Sequence, residues 1–195
     1  MEIQSRKAEQ RRAGIAARKA LPQAERVAAN AAICARVLEL PCFRQAQNLL
    51  VYAAFGGEAD LSALAEKAAR QGKNVAYPVC GENFTLTAAV PVQDGWEVGA
   101  YGIRTPILEQ AEIIRPETLD LVLVPCTAFD AACHRVGMGK GYYDRYLPRC
   151  KNAVTLGIAF EAQRVPGAVV DAHDQRLDGF VTERKVYRGA DQFEL

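Results

Sequence analysis

Apolar residues recur along this chain with two periods, near 3.6 and near 2, and the changes of period mark out the elements. Residues 3–20 read as a basic helix that ends near Pro22. Val27, Ala31, Cys34 and Leu38 follow at steps of four, three and four, which predicts the apolar face of a second helix. Asn48 to Phe55 is a strand candidate. Asp60 then offers a cap to a helix running through Leu61, Leu64, Ala65 and Ala68 and stopping before Gly72. Lys73 to Pro78 predicts the next strand, and Phe84 to Val90 an added one. Residues 91–116, rich in Gly, Pro and Glu and holding the single tryptophan Trp96, predict the least regular part of the fold. Leu119-Asp120-Leu121-Val122-Leu123-Val124-Pro125 is a short apolar run closed by proline, the mark of a buried strand. Tyr142 to Leu147 predicts a helix start that Pro148 cuts short, and Val154 to Phe160 and Phe180 to Tyr187 supply the last strands. Alternating strands and helices imply a parallel sheet with helices on its faces. The expected class is therefore α/β: a single three-layer domain over residues 1–195, with a mostly parallel sheet flanked by helices.

Composition narrows the function. A chain of 195 residues is ample for one core and short for two. A formal net charge of +1 argues against a general nucleic-acid binder. No apolar stretch approaches membrane-spanning length, and the N-terminal Arg6, Lys7, Arg11 and Arg12 leave no room for a signal-peptide core. A cytoplasmic protein is expected. The six cysteines, at 34, 42, 80, 126, 133 and 150, include no C-x-x-C pair, and His134 and His173 complete no zinc set. Small buried hydrophobes are the expectation for most of them. Cys126 and Cys133 flank the approach to the segment that carries the chemistry and are the candidates for a reactive thiol.

That segment is Arg135-Val136-Gly137-Met138-Gly139-Lys140-Gly141-Tyr142-Tyr143-Asp144. A strand, a glycine loop and a helix start in succession form an anion cradle. The glycines let backbone N–H groups approach an anion, and the helix N-terminus adds partial positive charge. Lys140 and Arg135 add full charges, and Asp144 offers a carboxylate for a magnesium ion bridging phosphate oxygens. The spacing is neither that of the Walker A loop, which needs Ser or Thr after the lysine, nor the G-x-G-x-x-G dinucleotide fingerprint. Taken alone it reads as an anion site or as a plain glycine-rich connection. Lys7, Arg11 and Arg18 fall on one helix face, which read alone is a solvated basic face. Glu58, Asp144 and Asp174 have equally plain readings as a surface acid, a helix-start acid and a turn residue.

The wider pattern separates these readings. Phe129-Asp130, then Arg135 to Leu147, resembles the signature F-D-x-x-G-x-R-L-G-x-G-x-G-Y-Y-D of the 5-formyltetrahydrofolate cyclo-ligase family. Lys7 and Arg11 match its K-x-x-x-R pair, and Tyr52 to Asp60 its Y-x-s-x-x-x-E-x-D stretch. Leu156 to Gln163 and His173 to Asp178 match L-G-I-A-F-E-x-Q and H-D-x-x-L-D. The resemblance spans nearly the whole chain in the same order. It implies an ATP- and Mg²⁺-dependent cyclisation of 5-formyltetrahydrofolate to 5,10-methenyltetrahydrofolate, with ADP and phosphate released. It assigns ATP contacts to Lys7, Arg11, Arg135, Val136, Gly137, Met138, Gly139, Lys140, Gly141, Tyr142 and Tyr143, with Arg135 and Lys140 as the catalytic cations. It assigns folate contacts to Ala53, Glu58 and Tyr142, and the metal to Asp144 and Asp174. Arg18 lies outside its reach, and it implies no nucleic acid, membrane or obligate protein partner. Two positions depart from the pattern. Cys133 stands where a glycine is usual, and Thr105 where Glu or Gln often precedes the proline. A sugar-phosphate isomerase or acyl-transferase relative using a similar loop without ATP is the rival enzyme. A non-catalytic folate- or RNA-binding paralogue is the other rival, and the presence of both Lys140 and Asp144 argues against it.

Overall fold

The computed structural model describes residues 2–189. Three helices open the chain: α1 (Ile3–Ala20), α2 (Gln23–Glu39) and α3 (Pro41–Gln45). Strand β1 (Asn48–Leu50), helix α4 (Ser62–Arg70) and strand β2 (Asn74–Cys80) form a crossover unit. Strands β3 (Leu86–Val90), β4 (Trp96–Val98), β5 (Arg104–Pro106) and β6 (Glu112–Ile114) follow. The second half holds β7 (Leu121–Pro125), β8 (Ala128–Phe129), β9 (Arg135–Val136), α5 (Tyr142–Tyr146), β10 (Val154–Ile158), β11 (Gly179–Val181) and β12 (Val186–Arg188).

Eight strands make the central sheet in the order β12-β11-β10-β7-β1-β2-β3-β6. β11, β10, β7, β1 and β2 run parallel, while β12 on one side and β3 and then β6 on the other are added through antiparallel pairings. The expected mostly parallel sheet flanked by helices is what the chain forms. Its central strands are buried on both faces, which is why they read as unbroken apolar runs. Leu121 and Leu123 of β7 join one core with Ile33, Val37, Phe43 and Leu64 from α2, α3 and α4. Val122 and Val124 turn to the opposite core, where Phe129 and Phe180 stack at 4.5 Å between ring centroids.

Four local expectations need correction. The buried face of α2 is Ala29, Ile33, Cys34 and Val37, whereas Val27 is 62% exposed. The helix turns Ile33 and Val37 fully into the core, while Leu38 packs only partly against it. β1 stops at Leu50 rather than running to Phe55, because the carbonyls of Phe55 and Gly56 accept bonds from the Arg18 guanidinium instead of a neighbouring strand. Asp60 is not the N-cap of α4. It accepts the Ser62 N–H at 2.9 Å from one position further upstream, and Leu61 occupies the cap. Residues 91–116 hold the hairpin β4–β5 and the edge strand β6. Their apolar alternation is weak because the hairpin projects from the sheet, with Val98 77% exposed. It is braced by Trp96, which meets the Tyr77 ring edge-on at 4.8 Å and lies under the Arg104 guanidinium, also at 4.8 Å.

Helix α1 sits outside this scheme. Its buried residues are Lys7, Gly14 and Arg18, so the side it presents to the protein is basic rather than apolar. Gly14 is where it touches: a Cβ there would stand 1.9 Å from the Thr127 carbonyl oxygen. That contact brings the helix backbone against the strand β8 region and delivers the basic side chains to the site.

Candidate active site

After β1 the chain leaves to one side to build β2 and β3, then returns to place β7 on the other side of β1. Such a reversal opens a crevice beyond the carboxyl ends of the two strands. A cleft of about 1180 Å³ lies there. Tyr52 and Ala53, following β1, form its floor with Pro125 and Cys126 at the end of β7. Every residue to which the resemblance assigns a role lines this cleft: Lys7, Arg11, Ala53, Glu58, Arg135 to Tyr143, Asp144 and Asp174.

The glycine loop does not follow the core strand directly. The short hairpin β8–β9 intervenes, so the loop begins at Gly137 on the end of β9. Gly139 (φ +96°) and Gly141 (φ +70°) adopt backbone conformations that cost other residues strain, and Gly141 caps α5. α5 has only five residues, so its dipole is smaller than a full helix would supply. The positive field therefore comes mainly from side chains. Arg11 Nε donates to the Gly137 carbonyl at 2.8 Å, and a Cβ on Gly139 would lie 3.0 Å from the Arg11 guanidinium. Lys140 is exposed at the loop crest, and among the described residues its ammonium makes no ion pair.

Arg135 is 5% exposed and pairs with Asp144 at 2.5 Å. Asp144 Oδ1 also accepts the Gln175 N–H at 3.2 Å, which ties the loop to the segment carrying Asp174. Lys7 donates to Asp171 at 2.8 Å and to Asp174. Burial opposes its charge, but the two carboxylates outweigh it and raise the lysine pKa. Asp171 is held below the usual carboxylate range by the hydrogen bond from Lys7 and the His173 N–H. Both expected metal carboxylates thus line the cleft, each already paired with a cation. Among the described residues no group of three or more His, Cys, Asp or Glu side chains is placed to hold a metal ion.

On the other side stands Glu58. Its carboxylate accepts the Phe55 N–H at 3.1 Å and lies 3.6 Å from Arg18. Burial raises its pKa, with Arg18 and the Phe55 N–H acting against that rise. Arg18, expected as part of a solvated face, is 1% exposed. It bonds Gly56, Cys126 and Phe55 carbonyls at 3.1, 3.2 and 3.5 Å. Its spacing from Lys7 and Arg11 was the available signal. Asp171 was missed too, and no local pattern distinguishes it. Two buried polar atoms on the cleft wall, Arg135 Nε and Tyr143 Oη, have no partner among the described residues. Burial pushes the Tyr143 phenol well above its ordinary pKa, so it is a neutral donor. Tyr142 lies partly exposed beside Phe84, ring edge to face at 5.9 Å.

Neither departure from the pattern opens the site. Cys133 keeps a left-handed backbone (φ +66°) with its side chain fully buried, at a cost of about 1–2 kcal/mol for a residue other than glycine. Thr105 is buried and donates to the Pro78 carbonyl at 3.3 Å.

The fold is an α/β domain with a large cleft at its switch point, the place where open α/β enzymes bind their ligands. Cations of α1 and the glycine loop line that cleft, together with the carboxylate of Glu58. The chain belongs to the 5-formyltetrahydrofolate cyclo-ligase family, whose model matches residues 3–183, and it is a ligase. A probable 5-formyltetrahydrofolate cyclo-ligase of Schizosaccharomyces pombe is 31% identical over 172 residues, 80% of this chain and 84% of the relative. The 5-formyltetrahydrofolate cyclo-ligase of Escherichia coli K12 is 31% identical over 158 residues, 78% and 86% of the two chains. The NMR structure of Aquifex aeolicus 5,10-methenyltetrahydrofolate synthetase superposes with a TM-score of 0.84 at 32% identity, covering 97% of this chain and 95% of that one. Among the described residues no helix is long and apolar enough to cross a membrane.

Proposed function

We propose that this protein is a single-domain cytoplasmic enzyme that closes 5-formyltetrahydrofolate to 5,10-methenyltetrahydrofolate, using ATP with Mg²⁺ and releasing ADP and phosphate. The observation that carries the reading is the division of one cleft. Lys7 and Arg11 from α1 meet the Arg135–Asp144 loop at its cationic end, and Ala53, Glu58 and Tyr142 line the rest.

The formyl group on N5 is an amide, and its oxygen is a poor leaving group. Transfer of the γ-phosphoryl group from ATP to that oxygen makes a phosphate ester. The N10 lone pair then attacks the formyl carbon, the carbon–oxygen bond breaks with departure of phosphate, and N10 loses its proton. The protein's task is to align the reacting oxygen with the γ-phosphorus and to stabilise charge on the phosphoryl oxygens. Lys140, free at the loop crest, and the backbone N–H groups of residues 137–141 receive the phosphates. Arg135 stands behind them with Nε unpartnered. Arg11 steadies the loop through the Gly137 carbonyl, and Lys7 keeps one of its three donors for a phosphate oxygen. Tyr142, beside the loop, borders both ligands, while Glu58 accepts N–H groups of the folate.

The residues fit a magnesium ion held chiefly by phosphates. Magnesium in nucleotide sites takes one or two carboxylates and completes its shell with phosphate oxygens and water. Asp144 keeps Oδ2 outside its bonds to Arg135 and Gln175, and Asp174 keeps Oδ1 outside those to Lys7 and Asp171. The bound ion would neutralise charge between the β- and γ-phosphates.

The test is methenyltetrahydrofolate formation from 5-formyltetrahydrofolate, followed by absorbance with ATP and magnesium omitted in turn. Product is expected only with both, with one ADP per turnover. Turnover undiminished without ATP would overturn the reading in favour of an isomerase-like reaction.

A further inference from the structure

Arg18 is among the largest fully buried side chains of the protein, yet it lies on a helix whose neighbouring basic residues reach the cleft. A buried guanidinium needs acceptors for its donors. Here all three nitrogens find backbone carbonyls, and those carbonyls are not scattered. Two belong to Phe55 and Gly56, in the turn that ends at Glu58, and the third to Cys126, just beyond β7. The turn is closed by the Glu58 N–H on the Phe55 carbonyl at 3.1 Å, with Gly56 and Gly57 at positive φ. The guanidinium spans the crevice between β1 and β7 from behind, and one of its edges lies 3.6 Å from Glu58 Oε1. Glu58 has a side chain only 11% exposed, and among the described residues Arg18 is the one cation paired with it.

We propose that Arg18 is a positioning residue for folate: it seats the Phe55–Glu58 turn against the end of β7 and holds the Glu58 carboxylate charged and aimed into the cleft. The inference rests on the reading of Glu58 as a folate contact. Arg18 touches neither ligand. Its effect passes through the turn and the carboxylate, so removing it should harm folate binding and spare the nucleotide, whose groups lie on the loop and on the first half of α1. A plain structural role would affect both ligands alike.

The experiment is a double-mutant cycle on the full chain with Arg18→Met, Glu58→Gln and both together, measuring affinity for 5-formyltetrahydrofolate and for ATP separately by titration calorimetry. Each single variant is expected to weaken folate binding by about ten- to a hundred-fold, the loss typical of hydrogen bonds to a charged group. ATP affinity should stay within about threefold, and the double variant should bind folate no worse than Glu58→Gln alone. Losses that multiply in the double variant, or an equal loss of ATP affinity in Arg18→Met, would overturn the proposal. Wild-type folate binding by Arg18→Met beside a weakened Glu58→Gln would also overturn it while leaving the folate reading of Glu58 intact. Unchanged binding by Glu58→Gln would instead remove that reading and the inference with it. Should Arg18→Met fail to fold, Arg18→Lys carries the same comparison, since it keeps the charge and loses the fork. It should weaken folate binding about three- to tenfold in the wild-type background and not in Glu58→Gln, and an equal loss in both would again refute the proposal.

Discussion

Replacing Gly14 by alanine sets two effects of opposite sign against each other. Gly14 lies in the interior of α1, where alanine is favoured over glycine by about 1 kcal/mol on helix propensity alone. Against this, the new Cβ would lie 1.9 Å from the Thr127 carbonyl oxygen and 2.8 Å from its carbon. Ordinary contact begins near 3.4 Å, so helix and hairpin must part by roughly 1.5 Å. Thr127 has no room to yield. It is fully buried, its N–H and hydroxyl both bind the Val136 carbonyl at 2.8 Å, and its own carbonyl accepts the Gln163 amide at 3.0 Å. The helix must move instead, which stretches the bonds from Arg11 to Gly137 and from Arg18 to Cys126 beyond useful length. Overpacking costs about 1–3 kcal/mol, and bonds from charged donors about 1.5–3 kcal/mol each. After the propensity gain, a net loss of about 3–8 kcal/mol remains. For a domain of this size that lowers Tm by about 6–30 °C. Calorimetric unfolding measures it directly, and ATP and folate affinities should both fall, because α1 serves both halves of the cleft. Gly167→Ala is the control. Nothing lies within 4 Å of its Cβ position, and its Tm should stay within about 2 °C of the parent. A Tm for Gly14→Ala equal to or above the parent, with affinities intact, would refute the close approach of α1.

Two further outcomes follow from the site. Asp144→Asn should raise the magnesium concentration needed for half-maximal turnover by about tenfold or more, because an amide lacks the charge a hard cation prefers. It should also lower Tm, because the buried Arg135 guanidinium loses its counter-charge. A magnesium titration overlaying the parent would remove Asp144 from the metal site. Burial pushes the Cys126 and Cys133 thiols up to about 12 and about 11, so at neutral pH both stay protonated and closed to thiolate chemistry. An aromatic disulfide reagent should therefore react first with the partly exposed Cys80 on the cleft wall and reach the other two only on unfolding. Rapid native-state labelling of Cys126 or Cys133, read by peptide mass mapping, would contradict this.

Much of the fold was legible along the chain because its elements are dictated by near neighbours. The run Leu121–Pro125 reads as a buried strand from its length, its valines and its closing proline, and the glycines at 139 and 141 announce a loop whose backbone needs φ above zero. The residues to which the family pattern assigns a role were also legible as a set, and they line the cleft, though Asp171 beside them was not legible. Where they are local to the glycine loop, their grouping follows from chain connectivity alone.

The pairings were not legible. Lys7 meets Asp171 across 164 positions, and Arg18 meets Cys126 across 108. Whether Arg18 lies in water or at the back of the cleft depends on where α1 docks, and Gly14 decides that through a contact with Thr127. The same holds for the face of α2, for the hairpin β4–β5, and for Asp144, which faces Arg135 because the hairpin β8–β9 folds between the core strand and the loop. Residue order determined which groups are available and which segments are helix, strand or loop, since those preferences act over a few bonds. Tertiary packing alone determined which charges are buried, against which partner, and so which remain free for a ligand. For a given charged group, the desolvation cost is set by what replaces water around it, and only the folded structure supplies that.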